Sequence, residues 1–61
     1  MNPTYQHIKS GNLYEVLHMG VINATNTITA DFEMVLYKPK DNDNHLFVRE
    51  RNEFLEKFKL V

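Results

Sequence analysis

The sequence has no cysteine, a single serine and only two glycines in 61 residues. Without cysteine there are no disulfides and no thiolate metal sites, a composition that suits a reducing compartment. Gly11 and Gly20 are too few for a P-loop or a dinucleotide-binding fingerprint, which both need the backbone to approach phosphate at several glycine positions. Ser10 lies among turn formers, with no Gly-x-Ser-x-Gly elbow to activate it. No apolar run approaches the roughly 20 residues of a membrane span. The opening Met1-Asn2-Pro3-Thr4 has neither the basic nor the apolar stretch of a secretory signal. A cytoplasmic location away from membranes is therefore expected, and Asn23-Ala24-Thr25 is a chance match to the glycosylation tripeptide.

Charge of one sign is also missing. Seven basic and eight acidic residues are mixed along the chain, for a net charge of −1. This is not the strongly basic footprint of a dedicated duplex-binding domain, although a local patch remains compatible with single strands or nucleotides. The length allows one domain over residues 1–61. A domain of this size buries only about 60% of the surface that its unfolded chain exposes, so its stability is roughly a few kcal/mol.

What is present is period-2 patterning. Residues 5–9 form a short strand, closed by Ser10-Gly11-Asn12. Leu13 to Ile22 is a long strand with apolar residues on both faces: Leu13, Leu17, Met19 and Val21 on one, Tyr14, Val16 and Ile22 on the other. Gly20 offers a bend or bulge within it. A turn at 23–26 leads to a third strand over 27–38, in which Phe32, Met34 and Leu36 alternate with Glu33, Val35 and Tyr37. Pro39 stops that strand, residues 40–44 are a polar loop, and residues 45–49 form a fourth strand. Phe54, Leu55 and Phe58 then take helical spacing, with Asn52 as N-cap and helix confined to about residues 50–58. Residues 59–61 supply a final edge strand. Four or five short antiparallel strands with one helical turn near the C-terminus make a mainly β barrel or roll. A parallel α/β fold is excluded, because no connection is long enough for a crossover helix. Val16, Leu17, Val35, Leu36, Val48 and Phe54 are the expected core.

The candidates for chemistry are sparse. His7, His18 and His45 lie on different strands without metal-ligand spacing. Asp41, Asp43 and His45 imitate half of a calcium loop, but Leu46 stands where glycine is required and Asn52 where the bidentate glutamate belongs. Glu15, Asp31 and Glu33 read as a solvated sheet face. No metal, no cofactor and no enzymatic activity are expected. The suggestive set is aromatic and basic: Tyr5, His7, Lys9, Tyr14, Tyr37, Phe47 and Arg49. Such a mixture grips peptides or stacks bases, or else fills a small core with rings.

Three ordered motifs carry a resemblance across nearly the whole chain. They are Tyr5-x-His7-x-Lys9-x-Gly11-x-x-Tyr14-Glu15-Val16, then Glu33-x-Val35-x-Tyr37, then Leu46-Phe47-Val48-Arg49 followed by Phe54 and Phe58. Together they resemble a small bacterial and phage domain family of unknown function, whose pattern is Tyr-x-His-x-Lys-Gly-x-x-Tyr-x-Val, Val-x-Tyr and Leu-Trp-Val-Arg-Pro…Phe. The resemblance implies an SH3-like β-barrel or roll and transfers no activity. This chain departs from the pattern in an additional Ser10 between Lys9 and Gly11, in Phe47 for tryptophan and in Glu50 for proline. The expected function is a non-enzymatic binding module for a protein or peptide partner, with nucleic acid or a nucleotide as the alternative. His7, Lys9, Tyr37 and Arg49 are the expected ligand-binding residues, because imidazole, hydroxyl and guanidinium groups together hydrogen-bond a carboxylate, phosphate or base edge. Tyr5 and Phe47 are the expected stacking rings.

Overall fold

The computed structural model describes residues 2–22 and 33–61. The expected turn at 23–26 and the first part of the third strand, with Asp31 and Phe32, lie outside the described residues. Five strands follow in chain order: β1 (Thr4–His7), β2 (Leu13–Ile22), β3 (Glu33–Pro39), β4 (Phe47–Glu50) and β5 (Phe58–Leu60). One helix, α1 (Arg51–Lys57), joins β4 to β5. The strands form one antiparallel sheet in the order β4-β3-β2-β1-β5. The mainly β architecture and the confinement of described helix to α1 agree with the sequence reading. At seven residues, α1 is far too short to cross a membrane.

The β1–β2 connection shows what Ser10 does. Gly11 takes φ 79°, a left-handed conformation that only glycine adopts without strain, and its N–H donates to the His7 carbonyl at 2.7 Å. The Ser10 hydroxyl accepts the Asn12 N–H at 3.2 Å and lies 2.8 Å from His7 Nδ1. Ser10 therefore helps to close its own turn.

The two apolar faces of β2 have a physical cause. Val16 is opposite Tyr37, His18 opposite Leu36 and Val21 opposite Met34, so β2 carries an extra residue between each successive pair. Each such bulge reverses which side chains face inward and sharpens the local twist. Val16 is inward and buried before the first bulge, and Met19 packs against the core after it. The second bulge spans Gly20, where the sequence offers a bend.

Among the described residues, the core consists of Val16, Val35, Tyr37, Phe54 and Phe58. Val16, Val35 and Phe54 were expected there, whereas Leu17, Leu36 and Val48 are not core residues. Leu36 and Val48 face each other across β3 and β4, on the sheet face opposite the Val35 and Tyr37 side chains, and Val48 is 53% exposed. Leu17 sits at the first bulge and is half-buried. Among the described residues, α1 packs on the face that carries Val35 and Tyr37, the concave one.

The helix starts earlier than its sequence suggests. Glu50, not Asn52, is the N-cap: it is extended at φ −61°, ψ 138°, and its carboxylate accepts the N–H groups of Asn52 at 2.8 Å and Glu53 at 3.2 Å. A carboxylate there satisfies two orphan donors and complements the helix dipole. Glu50→Ala should cost about 1 kcal/mol, measurable as a lower urea midpoint at an unchanged slope. An unchanged midpoint would show that the cap is energetically idle. At the other end Phe58 is already extended, and its N–H donates to the Phe54 carbonyl. The chain thus leaves α1 directly into β5, and Phe58 opens that strand.

Candidate binding site

Residues directly opposite on neighbouring strands point to the same face of a sheet. From the buried pair Val16–Tyr37, the register assigns Tyr14, two residues before Val16, to the concave face, with Tyr5 opposite it. His7 follows two residues after Tyr5 and lies opposite Phe58. Phe47 lies opposite Tyr37, and Arg49 opposite Val35. The concave face therefore carries a ladder of aromatic side chains, with one imidazole and one guanidinium among them. α1 fills one end of it: Phe54 stacks on Phe58 at 4.2 Å between ring centroids and meets Tyr37 at 5.0 Å and Tyr5 at 5.2 Å.

The other end stays open. His7, Ser10, Asn12, Tyr14, Tyr37, Phe47, Arg49 and Phe58 line a solvent-accessible hollow of ≈ 350 Å³. Tyr14 meets Tyr37 and Phe58 edge-on at 5.5 and 5.4 Å, which makes a rigid aromatic wall. Phe47, 42% exposed, leans on both tyrosines, and His45 stacks beside it.

Arg49 is held from three sides. Its Nε donates to Tyr37 Oη at 3.2 Å, its Nη1 donates to Glu53 at 2.7 Å, and its guanidinium carbon sits 5.7 Å from the Phe58 ring centroid. The Tyr37 hydrogen bond, opposed by partial burial and aided by Glu53, pushes its pKa above the ordinary arginine value. The ion-pair partner of Arg49 is Glu53, not the strand carboxylates Glu15 and Glu33. In the fold Glu15 faces Lys38, at 3.7 Å, and Glu33 pairs with Arg51. On His7, Nδ1 accepts the Ser10 backbone N–H at 3.2 Å, so the neutral ring carries its proton on Nε2. The same ring meets Phe58 edge-on at 4.9 Å.

Four of the six residues singled out in the sequence thus border one hollow: His7, Tyr37, Phe47 and Arg49. Lys9 does not, because it lies beyond the end of β1 and borders a separate hollow with His7, Ile8, Glu56 and Lys57. Tyr5 does not either, since its ring supports Phe54. Sequence reasoning assigned no site role to Phe58, Ser10 and Asn12, and it placed Tyr14 in the aromatic and basic set without a role of its own. Tyr14 was legible from its place two residues before Val16, whereas Phe58 was hidden by its helical spacing from Phe54. Among the described residues, no three histidine or carboxylate side chains gather to hold a metal ion.

A family model described as "Protein of unknown function (DUF1653)" matches residues 3–60. The chain belongs to the DUF1653 family. The match spans all five strands and α1, and so includes every residue that lines the hollow. No curated protein and no solved structure matches the chain.

Proposed function

We propose that this DUF1653 chain is a non-enzymatic binding module that holds an extended peptide segment of a protein partner. The observation that carries this reading is a pair of neighbouring hollows. The aromatic hollow adjoins a second one of ≈ 610 Å³, with which it shares Asn12 and Tyr14 and which Leu13, Pro39 and Lys40 also line. Two adjoining open hollows suit an extended chain, whose side chains fill successive depressions while groups on the rim fix its register. Rigid rings give such a ligand contact area at little cost in conformational entropy.

The strand order β4-β3-β2-β1-β5, with one short helix before the last strand, supports an SH3-like description of the roll. The absence of cysteine supports a reducing, cytoplasmic setting. The Ser10 hydroxyl is engaged in closing its own turn, which favours binding over nucleophilic chemistry.

Selection of random dodecapeptides on the immobilised protein, followed by amide chemical-shift mapping of the binders, tests the reading. Selected peptides should perturb Tyr14, Phe47 and Arg49. Failure to select any peptide, with salt-dependent binding of a single-stranded oligonucleotide at those residues instead, would replace this reading with the nucleic-acid one.

A further inference from the structure

The hydrogen bonds around the hollow fix which of its polar groups still have something to give. Tyr37 Oη already accepts the Arg49 Nε–H, so its own proton is left to donate elsewhere. His7 Nδ1 accepts the Ser10 N–H, so Nε2 carries the proton of the neutral ring. Arg49 has committed Nε to Tyr37 and Nη1 to Glu53, while Nη2 has no hydrogen-bond partner among the described residues. Three side chains at one hollow thus each retain a donor, and no carboxylate lines it. Apolar rings form the remaining wall.

We infer that the hollow recognises one carboxylate of the bound peptide, held by Tyr37 Oη–H, His7 Nε2–H and Arg49 Nη2. This inference rests on the peptide-binding reading. A carboxylate accepts several hydrogen bonds and offers none, which matches a donor-only rim. Its single charge also matches the electrostatics. Glu53, 2.7 Å from Nη1, already balances much of the Arg49 charge, so the hollow favours a monoanion over a phosphomonoester dianion. Arg49 cannot form the side-on fork through Nε and Nη2, because its Nε is occupied, and Nη1 is already turned to Glu53. Tyr37 and His7 therefore supply the contacts that a second guanidinium nitrogen would otherwise make.

Benzoate, benzamide and phenyl phosphate are suitable probes, titrated against the ¹⁵N-labelled protein. Benzoate should bind at the hollow at least about tenfold more tightly than benzamide, since a charge-assisted hydrogen bond is lost and a buried donor is left unmet in the amide complex. Tyr37→Phe, which keeps the ring, should weaken benzoate several-fold with the fold intact by amide spectrum. Glu53→Gln, which frees Nη1 and removes a negative charge, should tighten it. Equal binding of benzoate and benzamide, tighter binding of phenyl phosphate, or an unaltered affinity in folded Tyr37→Phe overturns the inference. Peptides selected as above separate the two readings. Amidating the C-terminus, or changing each Asp or Glu in turn to its amide, should in one case cost about tenfold, which also tells a terminal carboxylate from a side-chain one. If every neutralised peptide still binds in the hollow with full affinity, the carboxylate inference falls and the peptide reading stands. If no peptide maps to the hollow, the peptide reading itself falls, whatever benzoate does.

Discussion

Phe54→Ala is expected to cost about 3–5 kcal/mol and to leave the chain without a cooperative unfolding transition at 25 °C. The ring is fully buried and is the side chain that α1 inserts into the concave face. It touches rings from three strands: Tyr5 of β1, Tyr37 of β3 and Phe58 of β5. A domain of this size has roughly a few kcal/mol to lose. Leu55→Ala, one residue away but 45% exposed, should change stability by less than about 1 kcal/mol. Urea unfolding followed by far-ultraviolet dichroism distinguishes the two. A cooperative Phe54→Ala variant within about 1 kcal/mol of the parent would mean that α1 is peripheral to the core.

Phe58→Ala should match that loss, at about 3–5 kcal/mol, and should also dismantle the hollow. Phe58 meets His7, Tyr14, Tyr37 and Phe54 through its ring and lies beneath the Arg49 guanidinium. It is 4% exposed, whereas Phe47, across the opening, is 42% exposed. Phe47→Ala therefore serves as the contrast: the fold should persist while the opening loses one wall. If Phe58→Ala were the milder of the two in urea unfolding, Phe47 would be the true anchor and the hollow's floor would be misassigned.

The fate of individual residues shows what the sequence made legible. Val35 and Tyr37 against Met34 and Leu36 is a period-2 pattern, and it led correctly to a strand. It did not say which set is inside, because both contain large apolar side chains. The structure buries Val35 and Tyr37, since Phe54 comes from that side, and the expected core positions Leu36 and Val48 fall on the other face. Tyr37 and Arg49 were read as surface residues that meet a ligand. Tyr37 is instead a core ring whose hydroxyl reaches the rim, where it orients Arg49. A ring that packs at one end and hydrogen-bonds at the other serves both roles, a distinction that composition and spacing do not encode. Asn52 looked like the helix cap by residue type. Glu50 holds the position instead, because the helix begins at Arg51, and its carboxylate accepts two N–H groups, one of them that of Asn52 itself.

By itself, the sequence determined the class of this protein. Alternating apolar residues, short connections and one helical spacing admit a small antiparallel β fold and exclude crossover helices, and the absence of cysteine and the scarcity of glycine exclude whole chemistries. These are local properties, written in neighbouring residues. Only the tertiary structure decided which face became the inside, where the two bulges reversed β2, and that His7, Tyr37, Phe47 and Arg49 converge while Lys9 and Tyr5 do not. Those outcomes depend on pairing registers between residues such as His7 and Phe58, or Val35 and Arg49, far apart along the chain. A one-residue slip in any of those registers would turn a strand's side chains to the opposite face, and no local pattern in the sequence specifies that choice.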